Sequence, residues 1–341
     1  MSDVNRQWVL ARRPEGMVEQ SNFELVESPV PAIEDGQVLV RNLYLSFEPA
    51  MRGWIEDAPN YMPPVAIGEV MRASAVGQIV ASKHGEWKPG DYAYGLFGWQ
   101  DYAVVAPDGI PGLTRVPEGR DLTDPLGRLG MTSLTAYFGL LDIGEPREGE
   151  TVVVSGAAGA TGSVAAQIAK IRGCRVVGIA GGDEKCAWLR DEARLDAVVD
   201  HRSEDVMARL GDLCPDRIDI AFDNVGGETL DAFLFHIADH ARIVLCGAIS
   251  NYNLSEPTPQ LRYVGNLIKR RGKMQGFIVI DYLARAREAL EELTRWVDEG
   301  RIAFRVDIQE GMENVPRTFL RLFSGENKGK QLCRIAEAPI S

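Results

Sequence analysis

The stretch that decides the fold is residues 154–170, VSGAAGATGSVAAQIAK, in which three glycines stand three positions apart. Gly156, Gly159 and Gly162 separate a β-branched run from an Ala-rich run. A glycine turn between a strand and a helix lets the backbone approach a pyrophosphate, and the helix N-terminus offers N–H groups and partial positive charge. The spacing is GxxGxxG rather than GxGxxG, so the turn alone is also compatible with a structural role.

Strand-like and helix-like runs alternate around this turn. The strand-like runs are TVVVSG (151–156), CRVVGIA (174–180), DAVVD (196–200), RIDIAFDNV (217–225), ARIVLCGA (241–248) and KMQGFIVI (273–280). The helix-like runs between them are residues 161–172, 183–193 and 228–238. This alternation predicts βαβ units and a parallel, doubly wound sheet. In that context we interpret the glycine turn as part of a dinucleotide-binding Rossmann domain.

Residues 1 to about 120 show a different pattern, which is mostly β. Short strand-like runs recur between turn signals, namely FELVES (23–28), QVLVRNLYL (37–45), SAVGQIVAS (74–82) and DYAVVAP (101–107). This spacing predicts a small barrel or a folded sheet. Residues 122–144 have apolar residues at helical spacing, which predicts a helix. Thr123 or Asp124 is its candidate N-cap, and Gly144 is its predicted end.

The last part of the chain begins with a helix-like segment over residues 282–299. Its apolar residues share one helical face and predict a core-facing helix; they are Leu283, Ala286, Leu290, Leu293 and Val297. A short helix-like run and a final strand follow residue 307. They are too small for a third domain, so we expect them to return to the first.

Composition limits the class of protein. A chain of 341 residues predicts two domains, and 45% hydrophobic with 25% charged residues is typical of a soluble globular protein. No apolar run reaches the roughly 18 residues of a membrane span, and the N-terminus lacks a signal pattern. The five scattered cysteines form no disulfide framework, which favours the cytoplasm. The net charge of −12 argues against nucleic acid as a partner.

The end of the second strand indicates the cofactor. NAD sites usually place an acid there for the ribose 2′-hydroxyl, but this strand ends Ile179-Ala180-Gly181-Gly182. Lys185 follows within a turn and could reach a 2′-phosphate, although it could also be an ordinary exposed lysine. We therefore predict NADP(H) rather than NAD(H).

Candidate zinc ligands are sparse. The first domain has no cysteine, and its one histidine is His84. His236 and His240 stand four apart but lack the glutamate of an HExxH motif. We therefore predict no metal site, and another group must stabilise an oxyanion formed during hydride transfer. A tyrosine hydroxyl is a natural candidate.

Several ordered motifs together carry a family resemblance that covers nearly the whole chain. They are LSFEPAMRG (45–53), GMTSLTAYFGLLDIG (130–144), SGAAGATGSVAAQIAKIRGCRVVGIAGGDEK (155–185), FDNVGGE (222–228), CGAISNYN (246–253) and GENKGK (325–330). The chain resembles a zinc-free member of the medium-chain dehydrogenase/reductase superfamily. Within it, the chain is most similar to the branch of leukotriene B4 dehydrogenase/prostaglandin reductase, curcumin reductase and plant alkenal double-bond reductases.

The resemblance implies an architecture and an activity. A GroES-like substrate domain over residues 1–122, completed by 308–341, holds an inserted Rossmann domain over residues 123–307, with the active site in the cleft between them. The resemblance also implies NADPH as cofactor and a homodimer as the assembly. The implied reaction is reduction of the C=C bond of α,β-unsaturated ketones or aldehydes.

The resemblance also implies a set of site residues. The pyrophosphate would lie on residues Gly159, Ala160, Thr161 and Gly162, and the adenosine 2′-phosphate would face Lys185 and His201. The ribose and nicotinamide side would be lined by Asn224, Cys246, Gly247, Ala248, Ile249, Ser250, Tyr252, Phe277, Ile278, Val279 and Asn327. Tyr252 matches the family's tyrosine beside the substrate carbonyl and is the catalytic candidate, although it could instead pack the cofactor without touching substrate.

Two departures from the family pattern bear on specificity. His201 replaces a tyrosine, so a 2′-phosphate contact there would be made by an imidazole, a group that titrates near neutral pH. Ala50 replaces a tyrosine that lies near the substrate in relatives, which leaves the substrate range open. Two alternative functions remain: an NADPH quinone reductase, against which residues 250–253 argue, and a non-catalytic NADPH-binding protein.

Overall fold

The computed structural model describes residues 3–109, 112–256 and 260–339. The chain divides into two compact units, Met1–Leu126 with Val306–Ser341, and Gly127–Arg305. We call them the discontinuous unit and the central unit. Within the described ranges, none of the helices combines the length and the apolar composition that a membrane crossing needs.

The secondary structure comprises strands and helices in the following order. The strands are β1 (Val4–Leu10), β2 (Phe23–Pro29), β3 (Val38–Ser46), β4 (Ser74–Ser82), β5 (Tyr92–Leu96), β6 (Tyr102–Val105), β7 (Thr114–Arg115), β8 (Thr151–Val154), β9 (Arg175–Ala180), β10 (Ala197–Asp200), β11 (Ile218–Asp223), β12 (Ile237–Leu245), β13 (Lys273–Gly276), β14 (Val306–Glu310) and β15 (Lys330–Arg334). The α-helices are α1 (Met51–Trp54), α2 (Met131–Phe138), α3 (Ala160–Ile171), α4 (Asp183–Asp191), α5 (Val206–Leu213), α6 (Gly227–His236), α7 (Asn266–Arg270), α8 (Ala286–Asp298) and α9 (Val315–Ser324).

The discontinuous unit is built on a mostly antiparallel sheet. Its strands run in the order β14-β15-β3-β4-β5-β7, with β6 also paired to β3, while β1 and β2 form a separate pair. Its core is aromatic: the buried Trp99 ring lies 4.9 Å from Phe23, 5.5 Å from Phe47 and 5.7 Å from Phe319. Phe319 is on α9, so residues from both ends of the chain build this core.

Two of the motifs that carry the family resemblance meet in the discontinuous unit. The Lys330 ammonium donates hydrogen bonds to the Phe47 carbonyl at 3.1 Å and to Glu48 Oε1 at 2.6 Å. The Ser46 hydroxyl also donates to Glu48 Oε1, at 2.5 Å. Lys330 is 1% exposed, so its charge is neutralised inside the protein by Glu48. The GENKGK segment therefore anchors the LSFEPAMRG segment.

The central unit holds a six-stranded parallel sheet in the order β10-β9-β8-β11-β12-β13. The strands that form its middle read TVVV, RVVGIA and IDIAFD, and most of their residues are buried because helices cover both faces. The α/β fold, with a Rossmann sheet inserted in a mostly β unit, is confirmed.

The helix predicted over residues 122–144 was expected to begin at Thr123 or Asp124, and this start is wrong. Asp124–Leu126 forms a separate 3₁₀ turn, and α2 begins at Met131 with Gly130 as its N-cap. Pro125 and two glycines, Gly127 and Gly130, interrupt the helical spacing before Met131. A π-helical segment, Gly139–Gly144, then continues the helix to the predicted end.

Two predictions near the end of the central unit also need correction. The strand expected over residues 273–280 stops at Gly276, and a 3₁₀ helix occupies Val279–Arg285. Consequently α8 begins at Ala286, and Leu283 is 44% exposed rather than part of the core. The buried face of α8 is instead formed by Ala289, Leu293 and Trp296.

Candidate functional site

The site begins where the order of the parallel sheet reverses. Strands β9 and β10 lie on one side of β8, and β11, β12 and β13 lie on the other. In doubly wound folds a ligand binds outside the carboxyl ends of the strands at this switch point. The glycine turn follows β8, FDNVGGE spans the end of β11, and CGAISNYN follows β12, so three of the resembled motifs reach this edge.

The glycine turn has the geometry that a phosphate needs. Gly156 has a φ of +57°, in the left-handed region that favours glycine. A Cβ on Gly162 would lie 2.4 Å from the Gly156 carbonyl oxygen, so no larger residue fits there without moving the backbone. Gly159 is the N-cap of α3, whose first-turn N–H groups therefore face out of the helix end. The residues present fit a dinucleotide pyrophosphate.

A buried carboxylate organises the switch point. Asp223 accepts hydrogen bonds from the Ser155 hydroxyl at 2.6 Å and from the N–H groups of Val225 at 3.1 Å and Gly226 at 2.9 Å. Burial raises the pKa of this carboxyl, and these three donors oppose that shift. Asn224 completes the network, because its amide donates to the Ser155 carbonyl at 2.7 Å. Asp223 and Ser155 thus fix the ends of β8 and β11 beside the glycine turn.

The loop of residues 246–252 is tied to the same network. The N–H groups of Cys246 and Gly247 both donate to the Asp223 carbonyl, at 2.9 and 3.1 Å. The Ser250 hydroxyl donates to the Val225 carbonyl at 2.6 Å. The Tyr252 hydroxyl accepts a hydrogen bond from the Ala248 N–H at 3.1 Å, which orients the half-buried phenol. The Tyr252 oxygen therefore has a fixed position at the end of β12.

Three basic residues lie near the end of β9, on α4 and in the turn after β10. Lys185 is in the first turn of α4, and His201 and Arg202 directly follow β10. A Cβ on Gly181 would lie 2.6 Å from His201 Nε2 and 3.0 Å from Arg202 Nε. The structure thus brings His201 beside the Gly181-Gly182 turn that precedes Lys185. It also places Arg202 there, a residue that lies in none of the sequence motifs.

The remaining predicted site residues lie in two places. Phe277, Ile278 and Val279 come directly after β13 and are half-buried in the central unit. Asn327 belongs to the discontinuous unit, where its amide donates to the Gly329 carbonyl at 2.9 Å. Ala50, which replaces the family's tyrosine, is the N-cap of α1 and packs against the core of that unit.

The two histidines singled out by their spacing lie on different elements of the central unit. His236 ends α6 and its Nε2 lies 2.8 Å from the Met207 carbonyl oxygen, while His240 is within β12. Burial lowers the pKa of His236. In the three described ranges, no group of three or more His, Cys, Asp or Glu side chains could hold a metal ion.

Comparison with known proteins places this architecture in a family. Residues 6–113 match the family described as "N-terminal domain of oxidoreductase", and residues 160–299 match "Zinc-binding dehydrogenase". The NADPH-dependent curcumin reductase of Escherichia coli is 44% identical over 337 residues, which cover 97% of both chains. The chain belongs to the zinc-independent branch of the medium-chain dehydrogenase/reductase family.

Other members of this branch show the same full-length similarity. Prostaglandin reductase 1 of Mus musculus is 38% identical over 332 residues, which cover 96% of this chain and 98% of that protein. The crystal structure of CurA from Vibrio vulnificus in complex with NADPH is 41% identical and has a TM-score of 0.92, covering 97% of this chain and 99% of that one. The family assignment made from the sequence motifs is confirmed.

Proposed function

We propose that this chain reduces the C=C bond of α,β-unsaturated ketones or aldehydes with NADPH, using Tyr252 to stabilise the enolate. The chain is an NADP-dependent oxidoreductase, in agreement with its full-length relatives. The proposal of C=C reduction rests on the arrangement of loops at the switch point of the central sheet. There the glycine turn after β8 and the Tyr252 loop after β12 are joined through Asp223 and its neighbours.

The proposed NADP(H) site uses groups of the central unit. The pyrophosphate would lie on the N-terminus of α3 at Gly159–Gly162, and the 2′-phosphate would lie at the tip of β9, beside Lys185 and His201. The loop of residues 246–252 and the segment 277–279 would line the ribose and the nicotinamide.

Tyr252 is proposed to act on the substrate oxygen. When bound, NADPH supplies a hydride from nicotinamide C4. Addition of that hydride to the β-carbon of an enone leaves negative charge on the carbonyl oxygen. A phenol that accepts a hydrogen bond, as Tyr252 does from the Ala248 N–H, is polarised to donate one more strongly. The α-carbon is then protonated, with water as the proton source.

The experiment that tests this function is a substrate panel. NADPH oxidation is followed with aliphatic enones, enals and quinones, in the presence of a chelator, and products are identified by mass spectrometry. We expect turnover of enones and enals to saturated ketones and aldehydes. Quinone turnover alone would replace the proposal with a quinone reductase, and NADPH binding without turnover of any substrate would indicate a non-catalytic protein. Loss of activity with the chelator would contradict metal-independent chemistry.

Replacing Lys185 with alanine tests the cofactor assignment. Because only NADPH carries a 2′-phosphate, Lys185→Ala should raise the KM for NADPH by about 10-fold and leave the KM for NADH nearly unchanged. Steady-state kinetics with both cofactors measure this difference. Equal effects on NADPH and NADH would contradict a 2′-phosphate role for Lys185.

The cysteines are compatible with an electrophilic substrate. Enones alkylate thiolates, and burial raises the pKa of Cys246 and Cys333 to about 12 and that of Cys174 and Cys214 to about 11. We therefore expect no cysteine adduct when the native protein is incubated with methyl vinyl ketone at pH 8 without NADPH. All five cysteines should react after unfolding, as measured by peptide mass spectrometry. Rapid alkylation of native Cys246 would contradict this protection.

The assembly is proposed to be a homodimer. The family resemblance implies it, and β13 is the last strand of the central sheet, with Lys273 and Gln275 exposed along it. Ile268 on the neighbouring α7 is 83% exposed. Light scattering should give twice the chain mass of 37.5 kDa, and a single chain mass would contradict the proposal.

A further inference from the structure

The turn after β10 folds tightly against the tip of β9. A Cβ on Gly181 would lie 2.6 Å from Nε2 of the His201 imidazole and 3.0 Å from Nε of the Arg202 guanidinium, so both side chains lie directly beside this backbone position. Arg202 also lies beside Gly182, where its Nη1 is 3.5 Å from the position of a Cβ. A cationic group is therefore placed directly against the backbone where the second strand ends.

Asp200 holds this arrangement in place. Its Oδ1 accepts hydrogen bonds from the Gly182 N–H at 2.9 Å and from the Arg202 N–H at 2.9 Å. These donors hold the pKa of the Asp200 carboxyl below its usual range. The His201 N–H donates to the Ala180 carbonyl at 3.0 Å, which is a further link between the two strand ends. Asp200 Oδ1 thus binds two backbone N–H groups, and this holds the backbone of Arg202 beside the end of β9.

We propose that Arg202 is the principal cation for the adenosine 2′-phosphate, with Asp200 as the residue that positions it. This inference rests on the NADP(H) binding proposed above. The adenosine ribose lies at the end of the second strand in Rossmann folds. A guanidinium offers a planar pair of N–H donors that matches two phosphate oxygens, whereas the Lys185 ammonium is a point charge on a flexible stem.

Arg202 also differs in charge from the neighbouring His201. A guanidinium keeps its charge at every physiological pH, so Arg202 provides a permanent cation beside the imidazole. Arg202, in the turn after β10, would then determine the preference for the 2′-phosphorylated ribose more than Lys185 on α4 does.

The test uses two nucleotides that differ only in the 2′-phosphate. Binding of 2′,5′-ADP and of 5′-AMP to the full chain is measured by calorimetry. Arg202→Ala should weaken 2′,5′-ADP binding by about 10- to 100-fold and change 5′-AMP binding less than about two-fold. Arg202→Lys should recover part of the lost affinity, since it restores the charge but not the planar pair of N–H donors. Arg190→Ala is the matched control, because it removes an exposed charge near the other end of α4 and should change neither affinity.

Asp200 is tested by rescue. Asp200→Ala should weaken 2′,5′-ADP binding, and Asp200→Asn should restore much of it, because an amide oxygen can still accept from Gly182 and Arg202. An Arg202→Ala variant that binds both nucleotides like wild type would overturn the proposal. Equal weakening of both nucleotides would also overturn it, since that result indicates a structural role. A wild-type protein that does not distinguish the two nucleotides would instead contradict the NADP(H) site itself.

Discussion

Tyr252→Phe is expected to lower kcat for enone reduction by roughly 10- to 1000-fold, with NADPH affinity nearly unchanged. The substitution keeps the aromatic ring and removes only the hydroxyl. The substrate oxygen carries most of its negative charge near the transition state, so a lost donor lowers kcat more than it raises KM. The range is wide because the cofactor's ribose hydroxyl can also donate to the same oxygen.

The measurement must separate chemistry from loop structure. The Tyr252 hydroxyl accepts from the Ala248 N–H, so its removal also leaves that backbone donor without this partner. NADPH binding, followed by fluorescence titration, reports whether the loop of residues 246–252 still holds the cofactor. A smaller loss of kcat is expected with quinones, whose second carbonyl can be solvated by water. Wild-type turnover of enones by Tyr252→Phe would show that the tyrosine only packs the loop.

Lys330→Met is expected to lower the free energy of unfolding by about 3–5 kcal/mol. The substitution removes a buried ammonium that donates to both Glu48 and the Phe47 carbonyl. Glu48, whose side chain is 22% exposed, then keeps its charge beside the Ser46 hydroxyl, which still donates to it. The penalty comes mainly from this unpaired carboxylate rather than from the lost attraction, because a paired buried charge gains little over a well-packed apolar residue.

A double variant isolates that penalty. Lys330→Met combined with Glu48→Gln removes both charges and should recover much of the lost stability, as measured by urea unfolding. Lys83→Met replaces an exposed lysine of the same unit and should change the free energy of unfolding by less than about 0.5 kcal/mol. If Lys330→Met unfolds at the wild-type urea concentration, the ion pair does not stabilise the discontinuous unit.

The central sheet could be predicted because its signal is local. Runs such as TVVVSG and CRVVGIA are apolar, short and bounded by glycine, which is typical of buried parallel strands. The alternation of strands and helices then fixes the topology, and the glycine turn fixes one edge of the sheet. The motif resemblance extended this prediction to the family, which full-length relatives confirm.

The features that were missed depend on contacts between distant residues. The hydrogen bond from Ser155 to Asp223 joins residues 68 positions apart and exists only because β8 and β11 pair in one register. The role of Lys330 likewise depends on a partner 282 positions away. Arg202 follows a strand whose tip is set by Asp200, and its sequence signal was only a basic residue after DAVVD.

Local errors arose where two signals competed. Residues 122–144 have apolar residues at helical spacing, but Pro125 and Gly130 delay the helix to Met131. The apolar face assigned to residues 282–299 was shifted, because Leu283 precedes α8 and the larger Trp296 occupies the core. In both cases the periodicity of apolar residues did not determine where the helix begins. The backbone preferences of a few residues determined that boundary.

Hydride transfer to the β-carbon of the substrate is tested most directly by isotope labelling. The full-length enzyme is incubated with an enone and NADPH deuterated at nicotinamide C4, in separate 4R and 4S forms, and the product is examined by NMR. We expect a saturated ketone with one deuterium at the β-carbon from one of the two forms. Deuterium at the former carbonyl carbon, in an allylic alcohol, would contradict it.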